Sequence, residues 1–105
     1  MTKKQQKELN KIIKTIVKKY EPEKIILFGS YLSKRQKASS DVDLAVIKRT
    51  QRRFPERLRV VSSLIKSPLG TDILIYTPEE WKKSLQAGDY FIKEILETGR
   101  LVYEK

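Results

Sequence analysis

Apolar residues recur along the chain with two different periods, and the alternation between those periods lays out the elements. Leu9, Ile12, Ile13, Ile16, Val17 and Tyr20 fall at i, i+3, i+4, i+7, i+8 and i+11, the spacing of one helical face. Thr2 is the expected N-cap. Pro22 limits the helix at its other end, because the residue before a proline disfavours the helical region. Lys7, Lys11, Lys14 and Lys18 lie on the opposite side. Taken alone, such a row reads as a solvated face, with a basic contact surface as the functional alternative.

Shorter, continuous apolar runs follow. Lys24 to Phe28 (KIILF), bounded by Pro22 and Gly29, predicts a buried strand, and Asp41 to Ile47 (DVDLAVI) predicts a second. The intervening GSYLSKRQKASS predicts a turn, a helical turn or two and a polar loop. Pro55, at the favoured first position, opens a helix with Leu58, Val61, Leu64 and Ile65 as its apolar stripe, ended by Ser67, Pro68 and Gly70. Thr71 to Tyr76 (TDILIY) predicts a third strand. A helix from Pro78 runs through Trp81 and Leu85, with Glu79 and Glu80 in the first turn, where anions suit the helix dipole. Phe91, Ile92, Ile95 and Leu96 form a last helical face closed by Gly99, and Arg100 to Tyr103 add a final strand. Without repeats, low-complexity tracts or linkers, residues 1–105 are expected to form a single α+β domain.

Composition narrows the chemistry. With no Cys and no His, disulfides, thiolate catalysis, zinc ribbons and His-dependent triads are excluded, so any catalysis must use carboxylates, hydroxyls, cations or backbone. No apolar run approaches the roughly 18–20 residues of a membrane span, and the basic N-terminus lacks the apolar region of a secretory signal. A cytoplasmic location without membrane attachment is therefore expected. The net charge of +10 is uneven: residues 1–59 hold 17 cations and 6 anions, and residues 60–105 hold 6 and 7. That asymmetry points to an anionic partner, whether phosphate, nucleic acid or an acidic protein.

Three aspartates and one turn carry the candidate chemistry. Asp41 and Asp43, at i and i+2 of a strand, project from one face while Val42 and Leu44 point into the core. Two carboxylates so close repel unless a cation lies between them, and hard oxygen ligands suit Mg²⁺, which shares its remaining positions with water and phosphate. Gly29 and Ser30 follow a buried strand directly, where backbone N–H groups can face an anion and a missing Cβ permits its close approach. Asp72, near the start of an apolar strand, can face the aspartate pair if the two strands are neighbours. There it could complete a second metal site and accept a proton from an attacking hydroxyl.

The segment IILFGSYLSKRQKASSDVDLAVI, with Asp72 on a separate later strand, resembles the minimal nucleotidyltransferases of the DNA polymerase β-like superfamily. The likeness extends from the leading amphipathic helix to the closing helix–Gly–strand. It implies the nucleotidyltransferase fold, a small mixed β-sheet packed with helices. It also implies two Mg²⁺ ions held by Asp41, Asp43 and Asp72, and ATP cradled at Gly29 and Ser30. The sequence departs from the family at Leu32-Ser33-Lys34, where a small–basic–Gly run is usual.

Minimal members of this kind act beside a helical HEPN-domain toxin. The resemblance therefore implies an antitoxin that transfers AMP from ATP to a tyrosine of that partner. Two other readings stand beside it: nucleotidyl transfer to a small molecule, and a non-catalytic basic module that binds nucleic acid or a partner. The oligomeric state is left open. A ribonuclease R-x4-H signature is excluded by the absence of His, so this chain is not expected to be the toxin.

Overall fold

The leading amphipathic stretch folds as helix α1 (Lys3–Tyr20) in the computed structural model, which describes residues 2–29 and 42–105. Thr2 caps it reciprocally. Its Oγ1 accepts from the Gln5 amide at 3.0 Å, while Gln5 Oε1 accepts from the Thr2 amide at 2.9 Å. At the far end Glu21 adopts a left-handed conformation, φ 54°, ahead of the buried Pro22. Such a conformation costs a non-glycine residue about 1 kcal/mol, and here Lys48 Nζ donates to the Glu21 carbonyl at 3.2 Å.

Strands β1 (Lys24–Phe28), β2 (Val42–Ile47), β3 (Thr71–Tyr76) and β4 (Arg100–Glu104) form one mixed sheet in the order β3-β2-β1-β4. β1 pairs antiparallel with both β2 and β4, whereas β2 and β3 run parallel. A parallel pair needs a crossover, and helix α2 (Phe54–Leu64) supplies it. Helices α3 (Pro78–Gln86) and α4 (Tyr90–Thr98) precede β4. No helix among the described residues is long and apolar enough to cross a membrane.

The pleat divides the strand residues between two unequal layers. Ile25, Leu27, Val42, Leu44, Val46, Ile73 and Ile75 face α1 and α2 and pack with Leu9, Ile12, Ile16 and Val61. Each such side chain, fully withdrawn from water, contributes about 2 kcal/mol. The other face is thinner, with Ile26, Ala45 and Ile95 at its centre and Phe28 and Trp81 packed around them. At the turn from α4 into β4, a Cβ on Gly99 would overlap the Ile95 carbonyl and lie 2.9 Å from Ile26 Cγ2, so the close approach requires glycine.

Two helices bury a narrower face than their apolar pattern predicts. In α2 the buried residues are Arg57 and Val61, while Leu58 is exposed and Ile65 is the C-cap rather than part of the helix. In α4, Ile92 and Ile95 are buried and Phe91 and Leu96 are exposed.

Arg57 is inward because every part of its guanidinium finds a partner. Its Nε donates to the Arg52 carbonyl at 2.8 Å, and Nη1 donates to the Ile75 carbonyl at 3.3 Å. Nη1 and Nη2 hold the two Glu80 oxygens at 2.6 and 3.2 Å. Glu80 also closes the Thr77 capping box at the start of α3. The Arg57 hydrogen bond, with a further contribution from Thr77, holds the Glu80 carboxyl below its usual range. Nearby, burial raises the Tyr20 phenol despite the opposing pull of Arg57 and Arg52. The Tyr20 hydroxyl is buried without a hydrogen-bond partner among the described residues.

Candidate active site

The site is assembled where the C-terminal end of β1 meets the N-terminal ends of β2 and β3. Because strand residues alternate, burial of Val42 and Leu44 under α1 and α2 turns Asp43 to the opposite face. The same alternation on β3, with Ile73 and Ile75 in that core, sends Asp72 to the face shared with Asp43. Parallel pairing then sets the two in direct register, Asp43 opposite Asp72, on strands about 4.8 Å apart. The sequence expectation that Asp72 would meet the aspartate motif on a neighbouring strand corresponds to this arrangement. Asp43 is half-buried and Asp72 is exposed.

Phe28 stands opposite Asp43 on the other side of β2, and Gly29 follows it. Gly29 has φ 83°, and a Cβ built on it would overlap the Asp43 carboxylate. The backbone therefore runs directly against that carboxylate, and any side chain at 29 would displace it. This explains physically why glycine ends β1. Ser30 and Asp41, with the intervening loop and its Leu32-Ser33-Lys34 departure, lie outside the described residues.

Like charges directly opposite one another on paired strands are unfavourable, and a divalent cation removes that cost. The donors fit one: Asp43 and Asp72 provide hard oxygens on a single face, and Gly29 keeps the approach to Asp43 free of side-chain bulk. No group of three or more potential ligands gathers among the described residues, and the expected third member, Asp41, is outside them.

Asp43 and Asp72 open onto a cleft of about 560 Å³ whose other wall is apolar. Phe28 and Phe91 meet edge to face there at 5.8 Å, beside Phe54 and Leu58 of α2. Phe54 is 43% exposed and leans edge-on against Tyr76 at 6.5 Å. Sequence reasoning missed this wall because Phe54, Leu58 and Phe91 resemble ordinary members of helical stripes. Their partial exposure becomes apparent only when the helices are placed. A carboxylate pair beside a partly exposed aromatic wall can hold a metal-bridged phosphate at one end and a flat ring at the other.

Comparison with known proteins agrees with this geometry. Residues 10–105 match the family described as Polymerase beta, Nucleotidyltransferase. The chain is 32% identical over 93 residues to a candidate protein adenylyltransferase of Methanocaldococcus jannaschii, covering 89% of this chain and 90% of that protein. Its fold is similar to the crystal structure of a candidate nucleotidyltransferase from Sulfolobus solfataricus, with TM-score 0.67 and 17% identity over 94% of this chain and 79% of that one. It is also similar to a chain in a toxin–antitoxin crystal structure with AMP-PNP, with TM-score 0.59 and 23% identity over 91% and 73% of the two chains.

Proposed function

The chain belongs to the Polymerase beta nucleotidyltransferase family, and from that premise we propose that it transfers AMP from ATP to a protein acceptor, acting as the antitoxin of a HEPN-domain toxin. The observation that carries the reading is the direct register of Asp43 with Asp72, with Gly29 packed against the first. The protein adenylyltransferase name of a relative that nearly the whole chain covers supports a protein acceptor. A toxin–antitoxin complex among proteins of the same fold supports the partner. A tyrosine acceptor follows from the family resemblance, and the apolar wall of Phe28, Phe54 and Phe91 suits an aromatic side chain.

In this reading residues 1–105 form one minimal catalytic unit. Asp43 and Asp72, with Asp41, would hold Mg²⁺, two ions by resemblance. Bound Mg²⁺ neutralises the triphosphate and makes the attacking hydroxyl more acidic. Gly29 and Ser30 bind the triphosphate through their backbone amides, with the Ser30 hydroxyl as a further donor. Asp72, exposed on an edge strand, would accept the acceptor's proton. The acceptor oxygen bonds to the α-phosphorus as the bond to the leaving pyrophosphate breaks. Positioning and charge stabilisation supply the catalysis, which is consistent with a sequence lacking His and Cys.

The test is incubation of the purified protein with α-phosphate-labelled ATP, Mg²⁺ and a HEPN-domain protein from the same organism. Labelled partner that disappears with Asp43→Asn is expected. Absence of label, or label that survives Asp43→Asn with Asp72→Asn, would overturn the reading.

A further inference from the structure

A second concave surface lies away from the carboxylates, between α1 and β4, and encloses about 660 Å³. Four cations line it: Lys7, Lys11 and Lys14 from the helix and Arg100 from the strand. No carboxylate does. Glu8, the acid on this stretch of helix, accepts from Ser67 Oγ at 2.9 Å and lies 3.6 Å from Lys11. The floor is apolar, formed by Leu9, Ile13 and Val102, and Leu101 at its margin is 52% exposed. β4 is an edge strand that pairs only with β1 among the described residues, so its outer edge has no strand partner there. Three of the four lysines of that row, Lys7, Lys11 and Lys14, thus line the groove while remaining exposed to solvent.

We propose that this groove docks an extended acidic segment of a partner protein, laid along the outer edge of β4 with its carboxylates toward the α1 lysines. An edge strand adds a further strand readily, and main-chain hydrogen bonds then supply affinity while alternate side chains supply specificity. Lys7, Lys11 and Lys14 lie on one helical face and span about 10 Å along the axis, against about 13 Å for two successive steps between alternate strand residues, a difference that long lysine side chains cover. Acidic residues at alternate positions fall on the α1 side, beside Val102 and toward the lysines, and the residues between them fall on the opposite side with Leu101. The apolar floor and the sheet edge favour a peptide over nucleic acid, whose backbone would gain nothing from either. The groove reaches the carboxylate end of the sheet, since Arg100 pairs with Leu27 two residues before Gly29. The proposal stands whether or not AMP transfer does.

The test uses the full chain with a fluorescent, end-blocked peptide of alternating glutamate and valine. A lysine–valine peptide and an oligouridine of matching charge serve as competing probes. Saturable binding of the glutamate peptide is expected, weakened at least tenfold by Lys7→Glu, Lys11→Glu and Lys14→Glu together. Slowed amide exchange at residues 100–104 should accompany binding and distinguish strand addition from loose charge attraction. Leu101→Asp, which leaves the helix untouched, should weaken the same probe several-fold and so guards against misfolding of the triple variant. Tighter binding of the oligouridine, equal binding of the lysine peptide, or binding without protection of β4 would each overturn the proposal.

Discussion

The two ends of the β2–β3 pair treat charge in opposite ways. At the C-terminal end, cations and anions close on one another: Arg57 holds Glu80 with two hydrogen bonds, and Arg49 bridges Glu23 and Glu79 at 3.0 and 3.1 Å. At the N-terminal end, two carboxylates are set in register on adjacent strands, with a glycine packed against one of them. The first arrangement lowers the energy of the fold. The second sets two acidic residues in register, an arrangement that fits a hard cation and coincides with the proposed nucleotide site.

The largest expected effect separates activity from stability. Asp72→Asn should reduce AMP transfer by about three orders of magnitude, while the melting temperature in metal-free buffer stays level or rises, because a like charge in register with Asp43 is removed. Parallel losses of activity and melting temperature would instead make Asp72 a structural residue.

The converse change belongs at the other end. Arg57→Ala removes one side of a buried, multiply bonded pair and should cost about 2–3 kcal/mol, less than for a fully buried pair because Glu80 is half exposed. For a chain of this size that is a fall of roughly 10 °C or more in melting temperature. AMP transfer measured well below that temperature should persist.

Gly29→Ala sharpens the contrast by touching both properties. A left-handed backbone and an overlap with the Asp43 carboxylate should together cost about 1–2 kcal/mol of stability, and activity should fall at least tenfold as Asp43 is displaced. A fully active Gly29→Ala protein would show that the close packing at Asp43 is dispensable.

The smallest effect is on pH dependence. The Glu80 carboxyl is held below its ordinary value, so its contribution is present above about 4.5 and is lost as pH falls through the folded-state value. Acid titration of stability should therefore be shallower in Glu80→Gln, by a few tenths of a kcal/mol, since an exposed partner weakens the pair. At the alkaline end the sign reverses. Burial, assisted by Asp89 and Glu80, raises the Tyr76 phenol, and burial raises that of Tyr20. Stability should fall as pH rises above about 10, and Tyr76→Phe should reduce that loss, as measured by denaturant unfolding.

What could be read from sequence follows the same division. Helices and strands were legible because apolar spacing and the Pro and Gly signals agree with their packing. α1 begins at its Thr2 cap, and β1 runs over KIILF. The neighbourhood of Asp43 and Asp72 was legible as well, since each stands among residues that must face inward, which turns both to the same side. Arg57 was not legible. An arginine beside Leu58 reads as solvent-facing, and its inward turn depends on Glu80, 23 positions later, and on the Ile75 carbonyl. The α1 lysines were ambiguous for a similar reason: whether they face water or a groove depends on where β4 lies, which local spacing does not encode.

The central claim, that the carboxylate end of the sheet is a metal-dependent nucleotide site, is tested most directly by titrating the protein with ATP and following its amide resonances, with and without Mg²⁺. Mg²⁺-dependent shifts concentrated at Gly29, Asp43 and Asp72 are expected, lost in Asp43→Asn with Asp72→Asn, with little change at Arg57 and Glu80. Shifts that are indifferent to Mg²⁺, that survive the double variant, or that centre on the Arg57 end would contradict it.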